Sequence, residues 1–163
     1  MVLRHSTLLG IVVLLLGLAG CREVSQPALD ASGPLFPIEQ EGEWGYMTRE
    51  GTPAIPPQFD RAYRFVDNRA LVRQNGQYGF INTNGTAVIP PSYAAAGPFS
   101  EGLAPVRPDS LWGFIDRDGD VVIPPQFATA GTFRNGLARV TLQNGEMGYI
   151  TLNGTPVRPP SEW

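Results

Sequence analysis

The chain has no lysine, one cysteine and one histidine. Its twelve basic residues are therefore all arginine, set against fifteen acids. His5 and Cys21 both fall in the first 21 residues. Beyond them no imidazole, thiol or amine side chain is left. Ser-His-Asp and Cys-His relays, Schiff bases and zinc sites are thus absent in their usual forms. A single cysteine cannot close an internal disulfide. The net charge is −3 and no basic stripe emerges, which argues against nucleic acid as a partner. Long apolar runs are also scarce. The one present, Leu8 to Ala19, is short of the ~20 residues that a permanent membrane-spanning helix needs.

That run has its own meaning. Arg4 and His5 make a short basic head, and the run ends at Leu18-Ala19-Gly20-Cys21. A basic head, an apolar stretch and small residues at its end form an export signal. The stretch resembles a bacterial lipoprotein signal peptide. The resemblance implies that residues 1–20 are removed and that Cys21 is acylated on its sulfur and its new amino group. Membrane lipid is then the first expected partner, and the bacterial cell envelope the expected location. Arg22 stands where an Asp favours inner-membrane retention. In a Gram-negative host this implies the outer membrane, facing the periplasm. Residues 21–38 read as the acylated Cys and a flexible tether, rich in Ser, Pro and Gly without periodicity.

The rest of the chain repeats itself. Pro56-Pro57 recurs as Pro90-Pro91, Pro124-Pro125 and Pro159-Pro160, at spacings of 34, 34 and 35. Gly45, Gly79, Gly113 and Gly148 recur in the same register, each before an aromatic and then Met or Ile. The pattern predicts a β-repeat domain over 39–163, with units 44–77, 78–111 and 112–146 and a partial closing unit 147–163.

Each unit offers three short strands. The first carries the Gly, at a place where a Cβ would clash with neighbouring backbone or ring. An Asn-Gly or Asp-Gly type of turn leads to a return strand, expected to end at the Pro pair because two amide donors are missing. Phe59, Ala62 and Phe65, repeated as Tyr93, Ala96, Phe99 and as Phe127, Ala130, Phe133, are spaced for one helical turn or a compact loop. Asn68, Gly102 and Gly136 share a position that calls for positive φ. Ala70-Leu71-Val72 and its copies alternate like a strand with one buried face, where Pro105 suits an edge or outward position. The expected fold is all-β: tandem repeats of short antiparallel strands and hairpins, about nine to eleven strands in all. They would form either an open β array or a small propeller-like ring. The closing half-unit is expected to pair with residues 35–43 and cover an edge.

This pattern resembles the WG-repeat family. The resemblance lies in Trp44-Gly45 and Trp112-Gly113, the Ile-Pro-Pro segments, and Gly-Leu-Ala at 102–104 and 136–138. Departures are Tyr78 and Met147 at the Trp position, Asn68-Arg69-Ala70 in the first unit, and Arg158 for the last Ile. Altered end units fit caps that face water. The resemblance implies a repeat fold rather than an activity, and no cofactor.

Candidate functional positions are few. Asp116, Asp118 and Asp120 flank Gly119 and form a weak calcium candidate. Their copies, such as Asn82-Thr83-Asn84-Gly85-Thr86, read as turn formers. Trp44, Tyr46, Trp112 and Phe114 would make either core or an exposed platform for glycan. Arg61, Arg64, Asp67, Arg73, Arg107 and Arg134 vary between units and form the expected contact face. The leading expectation is a membrane-tethered, non-enzymatic module for protein interaction or envelope structure. Glycan or cell-wall binding and weak calcium binding are the alternatives. Labelled palmitate should enter the wild-type protein in cells and be lost on Cys21→Ala; equal labelling of both would refute the anchor.

Overall fold

The computed structural model describes residues 33–157. Cys21, Pro159 and Pro160 lie outside this range, as do the signal and most of the tether. Fifteen strands and no helix occur among the described residues, in four separate antiparallel sheets. Sheet 1 holds β1 (Phe36–Gln40), β2 (Glu43–Met47) and β3 (Pro53–Phe59), in that order. Sheet 2 holds β4 (Arg61–Ala62), β5 (Ala70–Gln74), β6 (Gln77–Ile81) and β7 (Ala87–Tyr93). Sheet 3 holds β8 (Ala95–Ala96), β9 (Ala104–Arg107), β10 (Trp112–Ile115) and β11 (Val121–Phe127). Sheet 4 holds β12 (Thr129–Ala130), β13 (Leu137–Thr141), β14 (Met147–Thr151) and β15 (Pro156–Val157). Every sheet is a simple meander.

The return strands do not end at the prolines. β3 runs through Pro56-Pro57 to Phe59, and β7 and β11 do the same. Each is the edge strand of its sheet, so a missing amide donor breaks no second ladder. The pairing also slips there. Trp44 faces Phe59 and Tyr46 faces Ile55, so a two-residue step on β2 faces a four-residue step on β3. The same shift separates Tyr78–Tyr93 from Phe80–Ile89 and Trp112–Phe127 from Phe114–Ile123. The surplus residues, with the Pro pair among them, bulge across the Gly opposite. A Cβ on Gly79 would lie 2.6 Å from both the Ile89 carbonyl oxygen and the Pro91 nitrogen. Gly45 and Gly113 meet the same atoms of their own Pro segments at 2.5–2.7 Å. A Cβ on Gly148 meets nothing within 4 Å, its Pro pair lying outside the described residues.

Past the bulge the chain takes neither a helical turn nor a compact loop at its first step. One residue, Asp60, Ala94 or Ala128, separates β3, β7 or β11 from the first strand of the next sheet. The ring of Phe59 or Phe127 therefore closes one sheet, and Ala62 or Ala130 opens the next. A two-residue hairpin follows, with positive φ at Asp67 and Asn68, Glu101 and Gly102, and Asn135 and Gly136. Positive φ at both central residues makes a type I′ turn, whose twist matches the strands it joins. The sheets thus straddle the sequence units, each taking its leading strands from one unit and its trailing strands from the next.

The sheets stack with three apolar layers between them. Tyr46, Ile55 and Phe59 of sheet 1 pack on Ala62, Ala70, Val72 and Ile81 of sheet 2. Leu71, Phe80 and Ile89 meet Phe99, Ala104, Val106 and Ile115. Phe114, Ile123 and Phe127 meet Phe133, Ala138, Val140 and Ile150. One aromatic pair recurs in each layer: Tyr46–Phe65, Phe80–Phe99 and Phe114–Phe133, with centroids 4.8, 4.6 and 4.9 Å apart. Such a pair adds about 0.5–1.5 kcal/mol to the burial of its rings. The Tyr46 hydroxyl, buried with its ring, donates to the Tyr63 carbonyl at 2.7 Å, and burial pushes its pKa well above the ordinary tyrosine range.

Three further expectations are revised. β5 is buried on both faces, because Ala70 and Val72 serve one layer and Leu71 the next. In the last sheet the equivalent Arg139 is exposed while Ala138 and Val140 are buried. Pro105 is buried in an interior strand, not outward. Its carbonyl accepts from Gly97 at 2.8 Å, and its ring fills the space a Cβ on Gly97 would need. At the matching place in sheet 2, Tyr63 donates to the Leu71 carbonyl. No return bond from Leu71 occurs there among the described residues, so a proline at this position forfeits no ladder bond. The described part of the closing half-unit, residues 147–157, does not pair with residues 35–43: β1 pairs with β2, and β14 with β13 and β15. Among the described residues the sheets form an open array, with no pairing between first and last.

Gly79→Ala is expected to destabilise the domain by about 3 kcal/mol, because backbone rather than a pliable side chain must move. Gly131→Ala, where a Cβ meets only the Arg139 carbonyl at 3.5 Å, should stay within about 0.5 kcal/mol. Urea unfolding of the two variants checks the difference.

Candidate interaction surface

The acidic turn is the first site to place. In Asp116–Asp120 the carboxylate of Asp116 accepts from the backbone N–H of Asp118 at 3.0 Å and of Asp120 at 2.9 Å. Asn82 holds its own turn the same way, through Asn84 and Thr86. Asp116 is thus a side-chain cap for its turn. No group of three metal-ligating side chains occurs among the described residues, so Asp116, Asp118 and Asp120 are not gathered around a common point.

The strand-one aromatics form no platform. Tyr46 and Phe114 are fully buried. Trp44, Tyr78 and Trp112 are half-buried and lean into three different layers. Two carry an arginine on the ring: Arg73 lies 5.7 Å from the Tyr78 centroid and Arg107 5.5 Å from that of Trp112. Met147 and Tyr149 in sheet 4 are exposed, with no further sheet over them among the described residues. The Gly45, Gly79 and Gly113 positions and their Pro pairs are spent on the bulge crossing described above.

The variable positions stand outside. Arg61, Arg64, Asp67, Arg73 and Arg134 are exposed, and Arg107 is half-buried under its stacking contact. Asp67 and Arg117 form an ion pair between the sheet 2 hairpin and the sheet 3 turn. Both partners are substantially exposed, so the pair adds at most about 1 kcal/mol. Glu101 accepts from the Gly136 N–H at 2.8 Å, and Ser100 donates to the Phe133 carbonyl at 2.7 Å. These contacts tie successive type I′ hairpins along one side of the array. Two shallow depressions flank it. One of about 550 Å³ is lined by Gly136 and the Thr151–Thr155 turn, and one of about 590 Å³ by Gln40, Glu41, Glu43 and Pro57. Glu41 and Glu43 stand exposed on a hairpin and its first strand residue.

Three consecutive matches to the WG containing repeat model cover 44–78, 78–111 and 112–145. The chain belongs to the WG containing repeat family. The WG repeats span more than half of it, and their boundaries follow the sequence units rather than the sheets. A search of curated proteins finds no matching relative.

Tyr63 escaped the sequence reading. It lies between Ala62 and Arg64, outside every recurring position, yet strand alternation puts it on the face of Arg61. Burial raises its hydroxyl pKa, the neighbouring Tyr78 adds to the rise, and Arg61 opposes it.

Asp116→Ala should lower stability by about 1 kcal/mol through loss of the turn cap, and by the same amount with calcium or chelator present. A melting temperature that drops on adding chelator to the wild type would restore the calcium reading.

Proposed function

We propose that this WG-repeat protein is a lipid-anchored, non-enzymatic module for protein interaction in the bacterial envelope. Cys21 carries the anchor, and in a Gram-negative host the domain faces the periplasm from the outer membrane. The tether expected over 21–38 ends sooner, because Leu35 is core and β1 starts at Phe36, so residues 22–34 are left to hold the domain clear of the headgroups. One observation carries this reading. The recurring residues are consumed by the bulge crossings and the three apolar layers, whereas the variable Arg61, Arg64, Asp67, Arg73 and Arg134 stay exposed. A rigid scaffold presenting variable polar residues on one array is how repeat proteins bind. Arginine suits the task, since its planar fork pairs bidentately with carboxylates and its face stacks on rings.

A photo-crosslinking residue placed at Arg64 or Arg134 in the anchored protein should give discrete adducts in living cells. The same residue at Gln126, an exposed position on the bulged edge strand β11 that repeats Gln58, should not. Identical adduct patterns from all three positions, or none from any, would overturn the proposal.

A further inference from the structure

Charge is unevenly shared among the sheets. Residues 61–93 hold four arginines and one acid. Residues 36–60 hold five acids and one arginine, and residues 95–127 five acids and two arginines. A basic sheet therefore sits between two acidic ones. Within it, Arg61 and Arg73 are directly opposite across β4 and β5. Opposed residues in such a pair are about 5 Å apart at Cα, and like charges there are destabilising. Both arginines are exposed, and neither has a carboxylate within 4.0 Å among the described residues. The adjacent Asp60 turns its Oδ2 to the Gly76 N–H at 2.8 Å and makes no ion pair within 4.0 Å of either arginine.

The surroundings organise these charges. Arg73 donates through Nε to the Gly76 carbonyl at 3.2 Å and lies over Tyr78, its direct partner on β6. Tyr63 shares the face of Arg61, two residues on; burial and the neighbouring Tyr78 raise its hydroxyl pKa and Arg61 lowers it. Two guanidinium groups and two phenols thus lie on one rim of sheet 2. An oxyanion placed there would relieve the repulsion and accept from both forks.

We infer that Arg61 and Arg73, with Tyr63 and Tyr78, form a carboxylate-binding site for a short acidic segment of a partner protein. The inference rests on the interaction reading above and names the chemistry of its partner. The acidic flanks select for shortness. Stacked sheets lie about 10 Å apart, close to the ~8 Å screening length at physiological salt. A long polyanion or an anionic membrane would meet repulsion on both sides, whereas a few carboxylates fit within the basic sheet.

The test uses purified full-length protein and a labelled hexaglutamate peptide, read by fluorescence anisotropy. Binding should weaken with added salt and lose at least about tenfold in affinity in Arg61→Gln/Arg73→Gln. The charge-matched Arg49→Gln/Arg139→Gln should bind within about twofold of wild type, net charge alone being a minor influence. Arg61→Gln alone should melt at or above the wild-type temperature, since it removes a repulsion. No peptide binding at low salt, equal losses in both double variants, or a melting temperature several degrees lower in Arg61→Gln would each overturn the site. Tighter binding of trigalacturonate with the same arginine dependence would replace it with an acidic-glycan site. Crosslinked partners that persist in Arg61→Gln/Arg73→Gln would leave the interaction module standing and remove this inference alone.

Discussion

The crossing of a Pro pair over a glycine is the constraint on which this architecture turns. It forces a bulge into each return strand, and the bulge redirects the chain. Without a bare Cα at Gly45, Gly79 or Gly113, the bulged segment could not lie so close to its partner strand. Without that close approach, Phe59, Tyr93 and Phe127 would not return to pair with Trp44, Tyr78 and Trp112. The chain would then not leave each sheet at the angle that starts the next. Glycine and proline act here as a matched pair, one removing bulk and the other accepting an edge position without an amide donor.

Stacking converts this local device into a domain. Each interior sheet gives one face to the layer before it and the other to the layer after it, so the consecutive Ala70, Leu71 and Val72 of β5 are all apolar and buried. The turns join in as well. Gly85, Gly119 and Gly154 each rest on the Ile of the preceding return strand, while Gly51 in the first sheet touches nothing. The two ends of the array therefore differ from its middle, as Gly51 shows at one end and the exposed Met147, Tyr149 and Arg139 at the other. With the scaffold built from recurring residues, the surface is left to the residues that change.

Much of this was legible in the chain itself. The repeat period, the all-β class, the steric role of the glycines and the positive φ at Asn68, Gly102 and Gly136 follow from residue type and register. Asp116 was legible as a turn former because its copies include Asn82, which has the same capping geometry and no charge. Other features were hidden. The prolines suggested strand ends, since nothing local says that β3, β7 and β11 are edge strands able to tolerate them. The Phe-Ala-Phe spacing looked helical because a single-residue bend between two sheets leaves no periodic trace. The contact of Arg73 with Tyr78 and the like-charge pairing of Arg61 with Arg73 depend on strand register, which is a long-range property.

The sequence by itself determined the repeat, its period and the identity of the residues that must be small, rigid or aromatic. These are demands of backbone sterics and burial, and they act within a few residues. Only the tertiary structure decided that sheets straddle units, that the four described sheets stack as an open array, and that Arg61 lies directly opposite Arg73. Those outcomes depend on which strand lies beside which, and hydrogen bonds between distant segments set that order.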